Sequence, residues 1–222
     1  MHKNKHALSD CAVFFDFDNT ITHFDVLDRI VENFSVDKKW MAFESAWKKG
    51  KIGSKACLSG QLKSVRTDRK ALTGYLAKIK VDPYFKKILE ILKKNGIAPI
   101  IVSDSFSFFL MSILKNNGID GIRIYSNKIK LKDDRLIPSF PYQHKSCKIC
   151  GNCKSKHLSK NGACDKVLIY VGDGLSDLCP AKNCDIVFAK GNLKKYLTEE
   201  GKSFLPFNDL KDVYNFMRRM DR

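Results

Sequence analysis

Three apolar runs of the chain each stop at a cluster of acids or hydroxyls. Val13-Phe14-Phe15 leads into Asp16-Phe17-Asp18-Asn19-Thr20, and Ile100-Ile101-Val102 into Ser103-Asp104-Ser105. Leu168-Ile169-Tyr170-Val171 leads into Gly172-Asp173-Gly174-Leu175-Ser176-Asp177. One acid at one strand end is an ordinary loop residue. Acids from several strands gathered at one sheet edge would repel each other unless a cation neutralised them. Ligands that are all oxygen suit a hard cation, and magnesium typically takes one or two carboxylates, waters and substrate phosphate. In an open parallel sheet, ligands bind beyond the carboxyl ends of the strands. These residue types therefore predict an acidic, cation-dependent site that handles phosphate.

The elements needed to bring them together are readable from the pattern. Short apolar runs at 11–15, 99–102, 167–171 and 185–189 read as buried strands. A further pair at 122–126 and 128–131 flanks Asn127. Helices are expected from Pro83 to the Asn95-Gly96 stop, over 106–115 before Asn117-Gly118, near 175–182, after Gly191 and over 210–220. Alternating strands and helices imply an α/β fold, a parallel sheet with right-handed crossovers. The stretch 24–82 interrupts that alternation straight after the first strand. It is helical in pattern, with Asp25 as a cap for Val26, Leu27, Ile30 and Val31. It reads as an inserted helical cap, leaving 1–23 and 83–222 as the core.

Composition narrows the classes. The 222 residues, 44% hydrophobic and 29% charged, are ordinary globular usage, which excludes disorder, fibrous repeats and a coiled coil. No apolar stretch approaches the roughly 20 residues of a membrane span, so no membrane partner is expected. The apolar run after MHKNKHALSD is too short for a signal-peptide core, and a cytoplasmic location is expected. The net charge of +16 comes from 32 lysines against eight arginines, scattered along the chain. Nucleic-acid binders cluster their charge and favour arginine, so no specific nucleic-acid partner is expected. The field does favour anionic substrates.

With these motifs in place, the chain resembles phosphatases of the haloacid dehalogenase superfamily. Asp16-Phe17-Asp18-Asn19-Thr20 matches the first motif, Ser103 the second, and Asp173 with Asp177 the fourth. The insert position is similar to the small helical cap of the phosphoserine-phosphatase-like branch, on a Rossmann-like core. Cys147-x2-Cys150-x2-Cys153-Lys154 resembles the Cys-Lys third motif of phosphoethanolamine/phosphocholine phosphatases and of the methionine-salvage phosphatase. Ser103-Asp104-Ser105 departs from the Ser-Gly-Gly of some relatives and is closer to Ser-Asp-Ala. That departure bears on the substrate and not on the reaction.

The resemblance implies a role for each residue. Asp16 is the nucleophile that forms an aspartyl-phosphate, and Asp18 protonates the leaving oxygen and then activates water. Ser103 and Lys154 hold the phosphoryl oxygens, joined by the amides of Asp104 and Ser105. Magnesium is the implied cofactor, held by Asp16, Asp173 and the main chain of Asp18, with Asp177 supporting its waters or Lys154. Gly172 and Gly174 permit close backbone approach. The Asp104 side chain either meets a cationic substrate or turns away to cap the next helix.

The reaction expected is hydrolysis of a small phosphorylated metabolite. Amino-alcohol phosphates, the methionine-salvage phosphate, pyridoxal phosphate and phosphoserine all remain open. The rival readings are phosphoryl transfer to an acceptor other than water, and a basic cysteine-loop protein on nucleic acid. Cys147, Cys150, Cys153 and His157 have the types for a structural zinc site, but all four would come from one tight loop. The alternative is buried thiols that shape the loop before Lys154.

Overall fold

The computed structural model describes residues 7–147, 149–161 and 165–221. The first strand, β1 (Cys11–Phe15), encloses Val13, Phe14 and Phe15 completely, as a central strand covered on both faces must. Four helices follow: α1 (Val26–Phe34), α2 (Trp40–Lys48), α3 (Ser54–Leu62) and α4 (Arg69–Leu76). Asp25 caps α1 by accepting from Asp28 N–H at 2.9 Å, and Asp68 caps α4 through Ala71 N–H at 2.7 Å. Val26, Leu27, Ile30 and Val31 form the buried stripe of α1 and share one apolar cluster with Phe15 and Phe17. The segment leaves and returns at one place, because Thr22 pairs with Val81 in an isolated antiparallel bridge.

The chain then alternates. Helix α5 (Pro83–Lys94) carries proline in its first turn and is capped by Asp82, which accepts from Tyr84 N–H at 2.8 Å. Strand β2 (Ile100–Phe106), helix α6 (Ser107–Asn116), and strands β3 (Arg123–Lys132) and β4 (Arg135–Ser139) follow. A loop leads to α7 (Lys154–Asn161), β5 (Val167–Gly172), the short α8 (Leu178–Ala181), β6 (Ile186–Ala189) and α9 (Gly191–Glu199). A two-residue strand β7 (Leu205–Pro206) precedes the closing helix α10 (Leu210–Met220). The sheet order is β4-β3-β2-β1-β5-β6-β7, parallel throughout except for the β3–β4 pair. Strand β1 thus has β2 on one side and β5 on the other. The three acid-bearing strand ends are neighbours at the point where the winding reverses, which is where such sheets bind ligands. Among the described residues, no helix is long and apolar enough to cross a membrane.

Three local expectations are corrected. The break expected at Asn127 is absent: β3 runs straight through it, and Asn127 is fully buried with its Nδ2 donating to the Asp104 carbonyl at 2.6 Å. The hairpin instead turns at Asp133 and Asp134, both left-handed with φ of 47° and 59°. Aspartate tolerates that region through its short polar side chain, and without a glycine the turn gave no strong cue. Second, β2 extends to Phe106, with a register shift between Val102 and Phe106, so Ser103-Asp104-Ser105 belongs to the strand. Asp104 therefore caps no helix; α6 begins after Phe106 with no side-chain cap. Third, the helix expected near 175–182 is broken into a 3-10 turn, Leu175–Asp177, and α8.

Helix α3 meets the loop before α7 at very close range. Ser54 Oγ accepts from Gly151 N–H at 2.9 Å, and Lys55 Nζ donates to Gln143 Oε1 at 2.8 Å. A Cβ on Gly53 would overlap the main-chain carbonyl of Ile149. Gly53→Ala should force helix and loop apart and destabilise the fold by about 1–3 kcal/mol, the usual range for overpacking. The midpoint of urea unfolding measures it, and an unchanged midpoint would mean that the two parts separate freely.

Candidate active site

Asp16 continues the line of β1, its N–H donating to Val171 O at 2.8 Å. The chain then turns sharply: Thr20, Ile21 and Thr22 all direct their N–H groups at the Phe17 carbonyl, and Asn19 sits at φ 53°. Asparagine suits that left-handed position. The turn brings Asp18 under the first helix of the insert, where its Oδ1 accepts from Val26 N–H at 2.8 Å. Its Oδ2 lies 3.4 Å from Ser103 Oγ at the end of β2. Ser103 Oγ already accepts from Ser105 N–H at 3.0 Å, so its own proton is available to an oxygen in the site.

Lys154 opens α7 and is buried. Its Nζ lies 2.8 Å from Asp16 Oδ1 and 2.6 Å from Asp177 Oδ1. Burial alone would lower its pKa; the charges of Asp16, Asp177 and Asp104 outweigh that and keep the ammonium protonated. Asp177 is completely buried and completely used. Its Oδ1 also accepts from Tyr170 OH at 2.5 Å, and its Oδ2 takes the N–H groups of Asp173 at 3.0 Å and Gly174 at 2.9 Å. Gly172 is required by this approach, since a Cβ there would come within 2.6 Å of Asp177 Oδ2. Gly174 has room for one.

Asp16, Asp173 and Asp177 form the one group of three or more histidine, cysteine or carboxylate side chains among the described residues whose ligand atoms converge, within 4.8 Å of one another. Both oxygens of Asp177 already take donors, whereas Asp16 gives Oδ1 to Lys154 and Asp173 gives Oδ1 to the Thr20 hydroxyl at 3.3 Å, so each of these two keeps its Oδ2 for a cation. Burial, then the nearby Asp177 charge, raises the carboxyl of Asp16 well above its usual range and that of Asp173 to about 7. A divalent ion would relieve both. Asp18 stands apart from the converging group; burial and then Asp25 raise its carboxyl as well.

Beyond these groups lies a cavity of about 260 Å³, roofed by the insert through Asp28, Trp47, Ser54 and Gln61. A second groove, at His23, Tyr75 and Lys78, contains none of the site residues. Asp104 puts Oδ1 on Asn152 N–H at 3.2 Å and leaves Oδ2 buried without a partner at hydrogen-bond distance. Burial raises its carboxyl above the usual range, partly offset by Lys154 and the approaching Ser54 hydroxyl.

Cys147, Cys150, Cys153 and His157 are not brought together as a ligand group among the described residues. His157 turns its Nε2 to Asn152 Oδ1 at 2.8 Å and stacks on Tyr125 with ring centroids 4.2 Å apart. The thiols are not the buried filling expected either: Cys147 is exposed, and Cys150 and Cys153 are half-buried. The residue that shapes this loop is Asn152, which the sequence reading missed; its position two before Lys154 was the available signal.

Burial, with Lys156 and Lys160 adding to it, lowers the His157 pKa from 6.5 to about 4. A histidine held neutral in this way gives its full stability above pH 6.5 and withdraws it as the pH falls toward 4, because the unfolded chain takes up the proton first. Thermal midpoints measured between pH 7 and 4.5 should fall more steeply for the wild type than for His157→Gln. Equal slopes would mean that the imidazole titrates freely.

Comparison with known proteins agrees with this geometry. The family described as Putative Phosphatase matches residues 11–205. A polyol phosphate phosphatase of Saccharomyces cerevisiae is 28% identical, over 94% of this chain and 93% of its own. A 2-hydroxy-3-keto-5-methylthiopentenyl-1-phosphate phosphatase of Bacillus cereus is 25% identical, over 94% and 96%. Among solved structures, a phospho-aspartyl intermediate analogue of phosphoserine phosphatase has the same fold, with a TM-score of 0.71, 18% identity and coverage of 93% and 98%. The chain belongs to the Putative Phosphatase family, is a phosphatase, and has the fold of the phosphoserine phosphatases.

Proposed function

We propose that the protein hydrolyses a small phosphomonoester in two steps through an aspartyl-phosphate on Asp16. The observation that carries this is the buried contact of Asp16 Oδ1 with the Lys154 ammonium at 2.8 Å, beside Asp18 and Ser103 and at the floor of a roofed cavity. Asp16 attacks phosphorus as the bond to the leaving oxygen breaks, and Asp18 gives that oxygen its proton. Burial of Asp18 favours the protonated carboxyl that this needs. Water then attacks phosphorus, Asp18 takes back a proton, and the Asp16–phosphorus bond breaks. Lys154 and the Ser103 hydroxyl hold the phosphoryl oxygens throughout.

Asp16, Asp173 and the main chain of Asp18 would hold Mg2+, an ion suited to oxygen-only ligands. It would supply positive charge against which a carboxylate and a phosphate can approach. Segment 24–82 is read as the cap, which screens the reacting groups from bulk water. Seven free thiols among the described cysteines suit a reducing, cytoplasmic setting.

The cavity wall favours a leaving group that donates hydrogen bonds. Asp104 Oδ2 has no donor at hydrogen-bond distance, only the approaching Ser54 hydroxyl; Asp28 has one long bond from Gln61 Nε2 at 3.3 Å, and Lys48 is bound to Glu44. Among the described residues, no arginine lines the wall to receive a carboxylate. Polyol and amino-alcohol phosphates fit this surface better than phosphoserine, and a polyol phosphate phosphatase is among the relatives.

Purified protein should hydrolyse small phosphomonoesters with magnesium, lose activity on chelation and regain it when magnesium is restored. Asp16→Asn should lower turnover by at least about 10⁴-fold with the fold intact. A variant retaining a tenth of wild-type activity would remove Asp16 from the chemistry. Across glycerol phosphate, phosphoethanolamine, pyridoxal phosphate and phosphoserine, kcat/KM should be lowest for phosphoserine. Asp104→Ala should cost the donor-bearing substrates about tenfold, or ~1.4 kcal/mol. An equal loss on p-nitrophenyl phosphate, whose leaving group has no donor beyond the ester oxygen, would reject Asp104 as a recognition group.

A further inference from the structure

Asn152 is 1% exposed and uses every polar atom it has. Its Nδ2 donates to Ser103 O at 2.8 Å and to Tyr125 O at 2.9 Å, so it ties the end of β2 to β3. Its main-chain N–H donates to Asp104 Oδ1 at 3.2 Å, and its carbonyl accepts from the N–H of Lys154 at 3.0 Å. One residue thus touches the main chain of both groups that hold the phosphoryl oxygens in the reading above, Ser103 and Lys154.

The amide can serve this way in one orientation only. With both Nδ2 protons spent on carbonyls, Oδ1 must be the acceptor toward His157. His157 is therefore the Nε2–H tautomer, donating at 2.8 Å. The imidazole has little freedom to turn away. It stacks on Tyr125 at an interplanar angle of 14°, and the ring of Tyr142 meets its edge at 4.8 Å. Asn161 closes the arrangement, accepting from Tyr125 OH at 3.1 Å and donating to His157 O at 2.8 Å.

We infer that Asn152, locked by the Nε2–H of His157, is a positioning residue that sets the spacing between Lys154 and Ser103 for phosphate binding. Neither side chain touches phosphate. The amide carries the geometry of the sheet edge into the first turn of α7, and the imidazole prevents the amide from flipping. A flipped amide would set Oδ1 against two carbonyls and release both strands from the loop. The inference rests on the reading of Lys154 and Ser103 as phosphate ligands.

The test removes the proton donor and keeps the ring. His157→Phe preserves the stack between Tyr125 and Tyr142 but leaves Asn152 Oδ1 without its donor; His157→Gln restores an N–H at about the same reach. Binding of inorganic phosphate in the presence of magnesium, by calorimetry, is measured beside kcat/KM for p-nitrophenyl phosphate and the thermal midpoint. His157→Phe should weaken phosphate binding and lower kcat/KM by about tenfold each, and His157→Gln should recover both to within about threefold. A fall in the thermal midpoint with both quantities, per folded molecule, within about twofold of wild type would show a purely structural role and overturn the proposal. Should His157→Phe not fold, Asn152→Ser carries the same comparison. A wild type that neither binds phosphate nor hydrolyses the ester would overturn the phosphatase reading itself, and the positioning role with it.

Discussion

The structure is organised around one buried ammonium. Lys154 lies between Asp16 and Asp177 with almost none of its side chain exposed, and an ion stripped of water there is tolerable only if its partners are close and themselves satisfied. That requirement explains the crowding at Asp177, whose oxygens take a phenol, two backbone amides and the ammonium together. It also explains the glycine at 172, where any side chain would collide with that carboxylate. The second acid of the Gly-Asp-x-x-x-Asp motif thus serves the lysine. The first is left to face the cavity.

The sheet supplies the rest of the constraint. Because β1 lies between β2 and β5, acids far apart in sequence arrive at one edge. The helical segment between Thr22 and Val81 departs and returns beside one β-bridge, so it covers the edge without interrupting the strands beneath. Its α3 rests on the loop that leads to Lys154, through Gly53 and Ser54. The roof and the loop that carries Lys154 therefore share a wall.

Much of this was legible in the residues, because strand ends and their acids obey local rules. Asp16, Asp18, Asp173 and Asp177 announce themselves by type and by the apolar runs before them. What escaped depended on tertiary partners. Asn127 has the chemistry of a turn residue, yet inside the fold its amide finds the Asp104 carbonyl and it stays in a strand. Asp104 has the chemistry of a helix cap, but the strand runs two residues past it and its carboxylate is taken by Asn152 N–H. His157 has the spacing of a metal ligand, but an asparagine five residues earlier claims its nitrogen. Each side chain has several legitimate uses in isolation, and only the surroundings choose between them.

The bond from Val26 N–H to Asp18 Oδ1 has a stereochemical consequence. An oxygen that accepts from a backbone amide cannot comfortably carry a proton directed along the same line. When Asp18 is protonated, Oδ2 is the favoured site for its hydrogen, because the Ser103 hydroxyl on that side can turn from donor to acceptor whereas the Val26 amide cannot. The carboxyl becomes a one-handed group: one oxygen is anchored to the start of α1, and the other faces the Ser103 hydroxyl. Two chemically equivalent atoms are made inequivalent by the first backbone amide of α1.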